Sequence, residues 1–156
     1  MRVHFIGIGG IGVSALAQYY LAKGHKVSGS DLARSEITDA LKKKGIKISI
    51  GKPVEVNPRQ TDLVIYSPAV KIENLKLKIP ALSYPEALGE LTKEYFTIAV
   101  SGTHGKSTTT ALVSLILIKA GLNPTVILGT KLREFKNSNF RMGGAPAYLV
   151  IEADEH

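Results

Sequence analysis

The 156-residue sequence contains no cysteine. That excludes disulfides and thiolate metal centres, and it suits a reducing, cytoplasmic compartment. No run of eighteen apolar residues occurs, so no membrane-spanning helix is expected. The opening "MRVHFIGIGG" breaks into glycines where a signal peptide would have a cleavage site, and it reads as a strand. Low-complexity segments and fixed-period repeats are also missing. Acidic residues are in deficit: 13 Asp+Glu face 20 Lys+Arg, a formal charge of +7. Such an excess suits nucleic acid or any phosphorylated ligand. No aromatic residues are interleaved with the basic ones, so no nucleic-acid groove is expected. The one lysine cluster, Lys42 to Lys44, closes a predicted helix, where cations suit the dipole.

What is present is an alternation of short β-branched runs and amphipathic stretches that end in glycine. Strands are expected at Val3 to Ile8, Lys26 to Ser30, Ile46 to Ile50 and Leu63 to Tyr66, with a short fifth in "KIPALSY". Helices are expected from Ile11 to Lys23, from an N-cap at Ser35 to Lys44, and through "PEALGELTKEY" with Pro85 in its first turn. The pattern then restarts, with a strand from Phe96 to Val100 and a helix from Lys106 to Ala120. A strand "PTVILG", a polar loop "TKLREFKNSNFRMGGAP" and a last strand from Ala147 to Ile151 follow. Strand–helix alternation implies α/β architecture with parallel sheets. The expected division is residues 1–93 and 94–156, the second unit being the start of a domain whose sheet is still short of strands. A unit of that kind exposes apolar surface, so association or poor solubility is expected.

Two stretches look built for phosphate. Gly7, Gly9 and Gly12 fit G-x-G-x-x-G between a strand and a helix. Missing side chains let the backbone approach a diphosphate, whose charge meets the free N–H groups of the helix start. Asp31 ends strand two, nineteen residues after Gly12, where an acid commonly binds a ribose hydroxyl. These residues alone allow a nicotinamide or flavin dinucleotide, another nucleotide diphosphate, or an unoccupied turn.

The second stretch is "SGTHGKST", 101 to 108. Lys106 is placed to neutralise the β- and γ-phosphates of a triphosphate and Ser107 to offer a hydroxyl to Mg²⁺. The backbone N–H groups of His104, Gly105 and Lys106 would cradle oxygens. The strict P-loop pattern fails, because Val100 stands where its first glycine belongs, yet Gly102 and Gly105 still bracket a tight loop. Thr108, Thr109 and Thr110 open the helix with residues of mediocre helix propensity, which favours a functional reading of the run. Glu152, Asp154 and Glu155 end the last strand, where carboxylates could hold Mg²⁺ or its waters; Glu152, nearest the strand, is the best candidate.

Taken in order, "HFIGIGGIGVSALA", "VSGSD", "SGTHGKSTTT" and "IEADE" resemble the Mur ligases of peptidoglycan synthesis. The resemblance spans the whole chain but only about the first third of a full family member. It implies a Rossmann-like UDP-sugar-binding domain followed by the start of a P-loop ATPase domain. Gly9, Gly10, Ile11 and Gly12 would approach a UDP diphosphate, with Asp31 and the turn Ser67, Pro68, Ala69 on the nucleoside side. Gly102, Thr103, His104, Gly105, Lys106, Ser107 and Thr108 would bind ATP, with Lys106 acting on its phosphates, and Ser107 and Glu152 would serve Mg²⁺.

The implied chemistry is amide ligation of L-alanine to UDP-N-acetylmuramate through an acyl phosphate, with ATP and Mg²⁺ as cofactors. The resemblance implies the C-terminal domains of the same ligase as partners, and neither nucleic acid nor membrane is expected. His104 is expected to shape the loop or lie beside the phosphates, not to act as a general base, and His4, His25 and His156 are expected to be structural or solvent-facing. The sequence departs from the family pattern at "ENLK", 73 to 76, which lacks a usual proline, and at Tyr84, where arginine is frequent. Four alternatives stay open. One is a ligase that recycles a whole tripeptide onto the same sugar nucleotide, and another a sister ligase that adds a later amino acid. The others are a dinucleotide-binding Rossmann module and a non-catalytic nucleotide sensor.

Overall fold

A computed structural model of the chain describes residues 1–52, 56–71, 77–144 and 147–153. Pro53, the 73 to 76 stretch, Asp154, Glu155 and His156 lie outside the described residues. The chain divides into two compact units, Met1–Ala87 and Leu88–His156. Among the described residues no helix is long and apolar enough to cross a membrane.

The first unit is a five-stranded parallel sheet: β1 (Arg2–Ile6), β2 (Lys26–Asp31), β3 (Lys47–Ile50), β4 (Leu63–Tyr66) and β5 (Ala81–Ser83), in the order β3-β2-β1-β4-β5. The connection leaves β1 in one direction toward β2 and β3, then returns to the other side for β4. That reversal is the switch point at which open α/β sheets bind ligands. β1 stops at Ile6, two residues short of the expected Ile8, because Gly7 turns away at φ +74°.

Helix α1 (Ile11–Ala22) is buried on nearly every side from Val13 to Tyr19, as a helix inside a core must be. Its small residues, Ala15 and Ala17, let it lie close to the sheet. Helix α2 (Glu36–Lys43) is short and relies on its ends. Ser35 accepts from the Thr38 amide while Thr38 Oγ1 accepts from the Ser35 amide, and Lys42 and Lys43 occupy the last turn. Gly45 supplies the left-handed stop at φ +90°. Phe5, Ile8, Leu16, Leu41 and Ile65 are fully buried and form the centre of this unit. Helix α3 (Tyr84–Thr92) follows β5 directly.

The second unit contains β6 (Phe96–Val100), α4 (Lys106–Lys119), β7 (Thr125–Leu132), β8 (Ser138–Arg141) and β9 (Tyr148–Glu152), with sheet order β6-β9-β7-β8. β6, β9 and β7 are parallel, around a core of Val126, Leu128 and Val150. The polar stretch 130 to 146 is not simply a loop. β7 continues to Leu132, and β8 pairs with it antiparallel, so the sheet is mixed. The chain reverses through Lys136 and Asn137, both near φ +57°, an arrangement that "SNFR", with its one apolar residue, does not announce. Phe96, Leu112 and Ile116 are exposed large apolar side chains of this unit.

Candidate functional site

The first site lies at the carboxyl ends of β1, β2 and β4. Gly7 can hold its left-handed φ because it lacks a Cβ; one placed there would sit 2.8 Å from Ser67 Cβ. The Gly7 and Ile8 amides both donate to the Ser30 carbonyl, at 2.9 and 3.2 Å, and Gly10 N donates to Gly7 O at 3.1 Å. Helix α1 then opens behind Gly10 with no side-chain cap, so its positive end faces the loop.

Asp31 Oδ2 accepts from Gly9 N at 2.7 Å and Oδ1 from Ala33 N at 3.3 Å. The acid that the sequence offers to a ribose is therefore engaged in fixing the glycine loop. Gly12 has a packing duty, since a Cβ there would lie 2.7 Å from the Tyr84 ring and hydroxyl. Across the switch point, Ser67 N donates to Ile6 O and Val70 N to Ser67 O, which sets the turn after β4.

These elements enclose a cleft of about 440 Å³. Of the expected residues, Gly7, Gly10, Asp31, Ser67 and Ala69 line it, while Gly9, Ile11, Gly12 and Pro68 are not on its wall. Six further lining residues were not among those expected: Ile6, Ser30, Leu32, Lys52, Val70 and Lys71. Leu32 is 87% exposed at this cleft, an unusual place for a leucine. The two lysines bring positive charge to a cleft whose loop already favours anions. Only their placement after β3 and after the Ser67 turn could have marked them.

The second site is the junction of β6 and α4. Gly102 (φ +143°) and Gly105 (φ +75°) turn the loop, and α4 begins at Lys106 without a side-chain cap. Lys106 Nζ donates to Gly102 O at 2.8 Å and so folds back over the loop. Residues 103 to 108 line a hollow of about 360 Å³, and His104 is exposed at it.

Ser107 Oγ donates to Glu152 Oε2 at 3.0 Å, and Gly129 N donates to Glu152 Oε1 at 2.6 Å. Two residues 45 positions apart in sequence are thus brought together where the carboxyl end of β9 meets the first turn of α4. Gly129 is a site residue that the sequence did not reveal: a Cβ there would lie 2.6 Å from Glu152 Oε2. Among the described residues no group of three His, Cys, Asp or Glu side chains could form a protein metal cage. One carboxylate plus one hydroxyl is the sparse, all-oxygen set that Mg²⁺ accepts when phosphates and water complete its shell. The threonine run divides in role, because Thr110 is buried and donates to Lys106 O at 2.7 Å, which is a structural bond.

The pattern described as the Mur ligase family, catalytic domain, matches residues 2–96. The UDP-N-acetylmuramate–L-alanine ligase of Acetivibrio thermocellus is 48% identical over 162 residues, covering 99% of this chain and 34% of that protein. The enzyme of the same name from Aquifex aeolicus is 48% identical over 160 residues, covering 99% of this chain and 35% of that protein. Among solved structures, the UDP-N-acetylmuramate–alanine ligase of Thermotoga maritima superposes with a TM-score of 0.89 at 36% identity, over 99% of this chain and 37% of that one. A murein peptide ligase from Psychrobacter arcticus gives 0.84 at 28% identity, over 100% of this chain and 38% of that one. The chain therefore spans about a third of the length of the curated relatives it matches.

Proposed function

This chain belongs to the Mur ligase family, and we propose that it is the N-terminal part of an ATP-dependent ligase that joins L-alanine to UDP-N-acetylmuramate. The observation that carries the reading is the pairing of two anion-binding loops in one chain. One opens a cleft at a Rossmann-type switch point, and the other has Lys106 over it and Ser107 on Glu152. A dinucleotide enzyme would leave Lys106, Ser107 and Glu152 without work. It would also want Asp31 for a ribose, whereas that carboxylate holds Gly9 and Ala33.

In this reading residues 1–93 form the UDP-sugar domain and 94–156 the beginning of the ATP domain, acting in the cytoplasm. The cleft takes the UDP diphosphate on the amides of the glycine loop, with Lys52 and Lys71 adding charge. Lys106 leaves Gly102 O for the β- and γ-phosphates of ATP, and Ser107 with Glu152 holds Mg²⁺, which when bound supplies charge neutralisation. Alignment then lets a muramoyl carboxylate oxygen attack the γ-phosphorus, with ADP leaving. The alanine nitrogen attacks the resulting acyl phosphate, loses a proton and expels inorganic phosphate. These residues align and neutralise; none acts as a general base. Among solved structures, identity of 36% to an alanine ligase, against 28% to a murein peptide ligase, favours alanine over a tripeptide as the second substrate.

The 156 residues alone are expected to bind nucleotide without ligating. Calorimetric titration with UDP-N-acetylmuramate, and separately with NADH, tests the first half of this. Saturable heat with the sugar nucleotide and none with NADH is expected. NADH binding in the absence of sugar-nucleotide binding would overturn the reading, and alanine-dependent phosphate release would overturn the expected inactivity.

A further inference from the structure

Alternation along β1 turns Val3 and Phe5 toward the core, where the Phe5 ring meets Tyr20 of α1 at 5.8 Å. His4 must then face the opposite side of the sheet. Strands of a parallel sheet are usually apolar on both faces. Here, instead, His4 lies beside two serines of β2, in the register His4 to Ser28 and Ile6 to Ser30. Its Nδ1 is 2.9 Å from Ser28 Oγ and its Nε2 is 3.3 Å from Ser30 Oγ. Burial pushes the imidazole pKa below its usual value, so the ring is neutral near neutral pH. A neutral imidazole donates through one nitrogen and accepts through the other, and so can join two hydroxyls in a fixed order.

Ser30 is 4% exposed, and its carbonyl accepts from both Gly7 N and Ile8 N. The next residue, Asp31, accepts from Gly9 N. Three consecutive amides of the glycine loop therefore hang from Ser30 and Asp31, and His4 grips Ser30 from the far face. We infer that His4 is a positioning residue for the glycine loop, acting through Ser30 and never touching the ligand. The inference deepens the proposed UDP-sugar reading and rests on it for its binding consequence.

The test uses His4→Phe, His4→Gln and Ser30→Ala in the full chain. A cavity of about 390 Å³ beside His4 leaves room for the phenyl ring. Two readouts are taken: amide hydrogen exchange in the unliganded protein, and the Kd for UDP-N-acetylmuramate. In His4→Phe, exchange at Gly7, Ile8 and Gly9 is expected to quicken about tenfold while Leu16 and Ala17 keep their protection. The Kd should rise about fivefold, His4→Gln should stay within about twofold of the parent, and His4→Phe with Ser30→Ala should be no worse than either alone. Unchanged exchange at the three loop amides would overturn the inference. So would a rise shared equally by Leu16 and Ala17, which would mark His4 as merely stabilising. If His4→Phe does not fold, Ser30→Ala decides by the same two criteria. If the parent fails to bind the sugar nucleotide, the reading of function fails, while the exchange data still judge His4.

Discussion

Lys106→Met is expected to weaken ATP binding at fixed Mg²⁺ by about 100-fold and to leave UDP-N-acetylmuramate binding unchanged. A unit charge 4 Å from a phosphate contributes about 1 kcal/mol in bulk water and about 4 kcal/mol at the effective dielectric of a partly buried site. Lys106 is half-buried, and its Nζ already rests 2.8 Å from Gly102 O at the loop. The loss should fall between those limits, and about 2.7 kcal/mol corresponds to the 100-fold stated. Methionine keeps the apolar stem, so helix α4 should survive. Titration with a fluorescent ATP analogue reads the effect, and a change under threefold would remove Lys106 from the phosphate site.

The second large effect is at Gly12. Gly12→Ala puts a Cβ 2.7 Å from the Tyr84 ring and hydroxyl, closer than real Cβ contacts allow. Either the ring moves or the first turn of α1 shifts, and that turn is what aims the loop at a diphosphate. Overpacking of this kind costs about 1–3 kcal/mol, enough to reduce sugar-nucleotide affinity by about 5- to 150-fold if the strain falls on the loop. Adding Tyr84→Ala removes the obstacle and should return most of the affinity. If the double variant binds no better than Gly12→Ala, the glycine is needed for direct approach to the ligand and not for packing beneath Tyr84.

Much of this was legible in the sequence where one residue type has one physical reason to be present. Ser35 and Gly45 bracket α2 as a cap and a left-handed stop should, and Leu63 to Tyr66 is β4 to the residue. The alternation of strand and helix implied the parallel sheet of the first unit. What stayed hidden depends on partners distant in sequence. β8 is polar and owes its strand to β7, so no local period marks it. Gly129 reads as an ordinary strand end until Glu152 is found against its amide. Asp31 sits where a ribose-binding acid belongs, and only the fold shows its carboxylate holding Gly9 and Ala33. Lys52 and Lys71 reach the cleft from two separate loops, a convergence that no spacing encodes.

The central claim is that the two loops serve two different substrates of one ligase. The most direct measurement saturates the chain with UDP-N-acetylmuramate and then titrates MgATP by calorimetry. The account predicts that ATP still binds with a stoichiometry of about one, and that Lys106→Met weakens that second event alone. Displacement of the sugar nucleotide by ATP, or a single shared site for both, would contradict it.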